Sequence, residues 1–156
     1  MRSNGVRSVV DLGCGDWQFS RHMDWSGIDY LGVDVSKVVL ETARQFARPG
    51  IAFRALDAVT EALPRADLLI AKDVLQHWGN ADILALLPKL SAYRYALVTN
   101  GFLPDEAERT NADMAAGFFY RPVDLQKAPF NLGGAYVAWF MVDEPKYAFL
   151  WTRPDH

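Results

Sequence analysis

Short apolar runs, the first two carrying an acidic residue at or near their ends and all separated by stretches of helical period, constrain this chain most. Ser8-Val9-Val10-Asp11-Leu12 is stopped by Gly13 and Gly15 and reads as a buried strand. A weaker helix-like stretch follows through Phe19 and Met23. Tyr30-Leu31-Gly32-Val33-Asp34 repeats the pattern of a strand closing on an acid. Ser36 is placed to cap a helix with Val39, Leu40, Ala43, Phe46 and Ala47 on one face, ended by Pro49-Gly50. Ile51 to Leu56 and Ala66 to Ala71 read as the third and fourth strands. Asn80 is placed to cap a helix whose stripe is Ile83, Leu86, Leu87 and Leu90, with a kink or early end expected at Pro88. Tyr95 to Thr99 is the fifth strand. Strands apolar throughout and alternating with helices argue for a parallel sheet covered on both faces.

The last third departs from that rhythm. Gly101 to Gly134 contains Pro104, Pro122 and Pro129 and no sustained period, so it reads as a long excursion. Phe118-Phe119-Tyr120 and Phe130 argue that it is ordered and packed. Tyr136 to Val142 and Tyr147 to Thr152 flank Asp143-Glu144-Pro145-Lys146, a hairpin with a four-residue connection. The sheet is thus expected to open parallel and close antiparallel. With 156 residues, one domain spanning 1–156 is expected.

Composition removes several functional classes. Sixteen Lys and Arg against 19 Asp and Glu give a formal charge of −3, with no basic, aromatic-interleaved stripe for nucleic acid. Cys14 is the only cysteine, which excludes an intrachain disulfide and a cysteine-based zinc cluster. His22, His77 and His156 have no paired spacing for a metal. No run approaches the ~20 apolar residues of a membrane helix, and Met1–Gly5 has no signal-peptide core. A cytoplasmic domain that binds a small molecule is expected, and a homo-oligomer is compatible with this composition.

The chemistry concentrates at Asp11-Leu12-Gly13-Cys14-Gly15-Asp16, where the first strand should end. Glycine lets the backbone turn sharply and approach a ligand. A dinucleotide fingerprint would place a third glycine at position 18, where this chain has Gln18. An acid, then G-x-G, then a second strand ending in Asp34, 19 residues beyond Gly15, resembles the class I S-adenosylmethionine-dependent methyltransferases. The resemblance implies a doubly wound, mostly parallel α/β sheet of order 3-2-1-4-5-7-6 ending in an antiparallel hairpin. It implies S-adenosylmethionine as cofactor and S-adenosylhomocysteine as product. The glycines Gly13 and Gly15 would approach the methionine part and Asp34 would bind the ribose hydroxyls, with Asp11, Cys14 and Val35 in the same cofactor-binding set. A carboxylate suits two ribose hydroxyls, which donate to it as charge-assisted hydrogen bonds.

Downstream the likeness continues. Asp57 and Ala58 follow the third strand, where the family places groups that meet the adenine. Lys72 and Asp73 end the fourth, where relatives line the methionine amine and the transferred methyl. Asp73-Val74-Leu75-Gln76-His77-Trp78 is similar to a segment common after that strand, and it makes His77 the candidate general base. Trp17 stands where relatives often have another glycine; it either stacks near the sulfonium or packs beneath the loop.

Each residue also has a plainer reading. Asp57 and Asp73 can cap turns, Lys72 can be a solvated strand end, and His77 can be a packed histidine. Cys14 would contribute small size and backbone only, because nothing near it in sequence lowers a thiol pKa. Arg109, Asn111, Asp113, Tyr120 and Arg121 could recognise an acceptor, although a solvated surface role is the expectation for each.

The first strand starts within a few residues of Met1, so the helices that many relatives fold over the cofactor are expected to be missing from this sequence, through a truncated or misassigned start. Residues 101–134 are therefore expected to form a lid on the substrate side, unless a second subunit closes the site. The reading is a methyltransferase acting on a small-molecule or sugar acceptor. A non-catalytic cofactor-binding module, a nicotinamide oxidoreductase and a domain working only beside a partner chain are the rivals.

Overall fold

A computed structural model of the chain describes residues 1–101, 105, 110–114 and 120–154. Its strands are β1 (Ser8–Leu12), β2 (Asp29–Asp34), β3 (Ile51–Ala55), β4 (Leu68–Lys72), β5 (Tyr95–Gly101), β6 (Ala135–Met141) and β7 (Pro145–Thr152). They form one seven-stranded sheet in the order β3-β2-β1-β4-β5-β7-β6. β1 to β5 pair in parallel, whereas β7 runs antiparallel to both β5 and β6. This is the order and polarity expected from the sequence.

Alternation along the strands separates two apolar layers. Val10, Leu12, Leu69, Ala71, Ala96 and Val98 belong to one buried cluster with Ile83, Leu86 and Leu90. Val9, Tyr30 and Leu68 belong to a second, with Trp17, Trp25, Leu40 and Ala43. Successive strand residues point to opposite faces, so a doubly covered sheet follows from these runs. Helix α1 (Lys37–Arg44) supplies the second cluster and α2 (Asn80–Leu86) the first.

Local differences have local causes. The β1–β2 crossover contains only a 3₁₀ turn at Ser20–His22. Asp24 accepts the Ser26 amide at 3.0 Å and Gly27 turns with φ +72°, so no α-helix develops there. α1 stops at Arg44, and Ser36 sits at its N-cap without a side-chain bond, while its own amide donates to the Asp34 carboxylate at 2.8 Å. α2 is capped from a distance, since Gly79 holds the N-cap and the Asn80 amide donates to Asp113 Oδ1 at 2.8 Å. At Pro88 the helix gives way to a 3₁₀ segment, Leu87–Ala92, as its missing N–H requires. Pro145 opens β7, so the hairpin connection is Val142–Glu144, one residue shorter than expected.

Several described residues of 101–134 are packed, while others, Asp113 and Tyr120 among them, are exposed. Val123, Leu125 and Phe130 join the α2-side cluster. Asn111 and Arg121 are 7% and 8% exposed, against the solvated role expected for them. Asn111 donates to the Asp124 carbonyl at 2.7 Å and accepts the Asp124 amide at 2.9 Å. The Arg121 guanidinium reaches the Trp78 carbonyl at 3.1 Å and Asn80 Oδ1 at 2.7 Å. Both residues are scaffold, because a buried polar side chain must spend its hydrogen bonds on the protein. Arg109, Phe118 and Phe119 lie outside the described residues. No helix among the described residues is long and apolar enough to cross a membrane.

Gly32 sits in the middle of β2, where an added Cβ would lie 2.7 Å from both Cys14 Sγ and Phe53 Cδ1. Gly32→Ala is expected to lower unfolding free energy by about 1–3 kcal/mol through overpacking, measured by urea denaturation.

Candidate functional site

The carboxyl ends of β1, β2, β3 and β4 meet along one edge of the sheet, which is where open α/β sheets bind ligands. A cleft of about 320 Å³ lies there, and Gly13, Asp34, Val35, Asp57, Ala58, Asp73 and His77 from the sequence-derived set line it. Val74 and Trp78 also line it.

Asp34 is held from two directions. Its Oδ2 accepts the Gly15 amide at 3.1 Å and its Oδ1 accepts the Ser36 amide at 2.8 Å. Each oxygen keeps acceptor capacity, so the carboxylate is oriented without being used up. The loop itself is tight: the Gly13 amide bonds the Val33 carbonyl at 2.8 Å, with φ +68° at Gly13. A Cβ at Gly13 would come within 2.3 Å of Val74 Cγ2, so only glycine allows β1 and the segment after β4 to approach this closely.

Asp57 closes a turn of its own. Its Oδ1 takes the Val59 amide at 2.9 Å and its Oδ2 the Thr60 hydroxyl at 2.8 Å. The Thr60 bond first, then the Val59 bond, holds this carboxyl below the usual range. Asp73 ends β4 in a left-handed conformation, φ +58°, and meets two ammonium groups. Lys146 Nζ lies 2.8 Å from Oδ1, and Lys72 bonds Oδ2. Partial burial works to raise the Asp73 carboxyl, but the bonds from Lys146 and Lys72 reverse it and hold it low. An incoming amine here competes with two lysines. Lys146 also bonds Glu144 at 3.0 Å, and Glu144 accepts the Tyr120 hydroxyl. His77 is an exposed lining residue whose ring lies 6.3 Å, edge on, from that of Tyr120.

Other members of the set are not brought to the cleft wall. Asp11 is 4% exposed, and its Oδ2 accepts Ser20 Oγ at 2.8 Å and the Tyr30 hydroxyl at 2.5 Å. It points into the α1-side layer with Val9, because the pleat places alternate residues of β1 on opposite faces. Trp17 is 1% exposed, with ring centroids 5.3 Å from Phe53 and 5.6 Å from Tyr30 and the Arg48 guanidinium over it. Of its two readings, the structure takes packing beneath the loop. Burial pushes the half-buried Cys14 thiol up, leaving it protonated. Gly15 contributes its amide to Asp34, and Lys72 contributes its ammonium to Asp73. Sequence reasoning missed Lys146, Glu144 and Lys89. They act across 73 residues in the Lys146–Asp73 case, and no local pattern announces such a contact.

Residues 9–93 match the family model described as a methyltransferase domain. The chain is 26% identical to a ubiquinone biosynthesis O-methyltransferase of Methylococcus capsulatus over 78% of its own length. A methyltransferase structure from Mesorhizobium loti, described as dependent on S-adenosylmethionine, shares 26% identity over 62% of this chain with a TM-score of 0.53. Human N-acetylserotonin methyltransferase, solved in complex with S-adenosylmethionine, superimposes on 95% of the chain at 20% identity with a TM-score of 0.69, a likeness of fold, and the chain covers 48% of it. The chain spans 60% of the Methylococcus relative and 47% of the Mesorhizobium chain.

Burial raises the Asp11 carboxyl against the bonds from Tyr30 and Ser20. A carboxyl raised on folding binds its proton more tightly in the native state, so native stability rises as pH falls toward the unfolded value near 4. Urea denaturation from about pH 8 down to about pH 4 should show the unmodified protein gaining unfolding free energy relative to Asp11→Asn as pH is lowered.

Proposed function

The chain belongs to the methyltransferase domain family, and from that membership and the cleft we propose that it is an S-adenosylmethionine-dependent methyltransferase. The observation that carries this is Asp34. A carboxylate oriented by two backbone amides at the end of β2, with acceptor capacity to spare, suits a vicinal diol. A phosphate at the same spot would be repelled. The β1–β2 crossover holds a 3₁₀ turn and no α-helix, so a pyrophosphate lacks the helix N-terminus a nicotinamide cofactor would use. Asp57, Ala58 and Val35 line the part of the cleft that would take the purine, and Gly13 the path to Asp73.

When bound, S-adenosylmethionine supplies a methyl group on a positively charged sulfur. Asp34 fixes the ribose end and Gly13 permits close approach, so these residues position the reactants. His77, exposed in the cleft, is the group that takes the proton of an acceptor hydroxyl. The name of the Methylococcus relative describes methylation at oxygen, and a small-molecule or sugar hydroxyl is the acceptor class proposed here. Residues 101–134 are the proposed lid. Supporting this, Tyr120 joins Glu144 of the hairpin and lies beside His77. A cofactor-binding module without turnover remains the second reading, supported by Asp73 being engaged by both lysines.

Titration calorimetry with S-adenosylhomocysteine and NAD in parallel tests the cofactor. Binding of the first is expected, and Asp34→Ala should weaken it by about 1.5–3 kcal/mol, roughly 10- to 100-fold. Binding of NAD with none of S-adenosylhomocysteine would sink the reading. Deleting Phe118–Tyr120 should abolish acceptor methylation while S-adenosylhomocysteine still binds; unchanged turnover refutes the lid.

A further inference from the structure

The connection from Leu56 to Asp67 forms a cleft wall without regular secondary structure, yet it is gripped from the 3₁₀ segment after α2. Lys89 Nζ donates to the carbonyls of Ala58, Val59 and Glu61 at 2.7, 2.8 and 2.9 Å. An ammonium has three hydrogens, and here each meets a backbone carbonyl. Four residues on, the Tyr93 hydroxyl donates to the Pro64 carbonyl at 2.7 Å. Leu86, Leu90 and Tyr93, all at most 2% exposed, anchor the donors in the core.

The consequence follows from peptide geometry. In a planar trans unit the carbonyl and the next N–H point in opposite directions. Drawing the Ala58 carbonyl toward Lys89 turns the Val59 N–H the other way, where it meets Asp57 Oδ1 at 2.9 Å. The turn is closed by reciprocal bonds, Glu61 amide to Asp57 carbonyl at 2.8 Å and Asp57 amide to Glu61 Oε1 at 2.9 Å. Lys89 thus orients the Asp57 carboxylate through the backbone without touching the cleft, of whose lining it is no part.

We propose that Lys89 is a positioning residue for the purine-side wall, holding Asp57 and Ala58 in the orientation that binds the adenosine part of the cofactor. This rests on the cofactor reading above. Because its partners are neutral carbonyls, the grip is less sensitive to salt than a surface ion pair.

The test uses Lys89→Met, which keeps the stem, and Lys89→Arg, which keeps donors. In the ligand-free protein, amide exchange at Val59–Glu61 should accelerate at least tenfold in Lys89→Met, with β4 unchanged. S-adenosylhomocysteine affinity should fall on the order of tenfold or more, as much in 0.5 M as in 0.05 M NaCl, and Lys89→Arg should recover most of it. Unchanged exchange overturns the grip whatever the cofactor. Accelerated exchange with unchanged affinity overturns the positioning role. If the unmodified protein binds no S-adenosylhomocysteine, the cofactor reading fails first and this role with it.

Discussion

Everything at the cleft depends on β1 pairing with β2 on one side and β4 on the other, in parallel. Parallel pairing sends three strand ends to the same edge, so the residues that leave the sheet there share one space. Gly13 leaves β1, Asp34 ends β2 and Asp73 follows β4, and all three line the cleft. The register sets how high each one stands, with Leu12 opposite both Val33 and Ala71. Because side chains alternate, that register also decides which residues turn up into the cleft and which turn into a layer.

Much of this was legible because the informative signals are local. A run such as Ser8–Leu12 stopped by two glycines specifies a strand end wherever the rest of the chain goes. The alternation of runs with helices announced a parallel sheet covered on both faces, and the hairpin its antiparallel end, but the strand order itself came only with the family resemblance. The boundaries moved by a few residues at most, as when α1 kept Ser36 at its N-cap but stopped at Arg44, short of the expected Phe46 and Ala47.

The site was less legible, for two physical reasons. Asp11 sits in the same motif as Gly13, but the pleat gives it to Tyr30 and Ser20, and one-dimensional spacing does not show which face a strand-end acid chooses. The lysines are harder still. Lys72, Lys146 and Lys89 resemble ordinary surface charges in the sequence, and only the three-dimensional path brings two of them to one carboxylate and the third to three carbonyls. Asn111 and Arg121 teach the same lesson in the excursion: polar residues in an aperiodic segment read as solvated until their partners are known.

Trp17 carries a consequence for traffic. A loop that approaches a ligand is commonly free to swing aside, but here its fifth residue after Leu12 is locked among Phe53, Tyr30 and Phe46. Lifting the glycine loop would drag an indole out of the core, a displacement comparable to local unfolding. That side of the cleft is a fixed wall. A ligand taken at this cleft would therefore enter and leave past the loops after β3 and β4, which line its other walls.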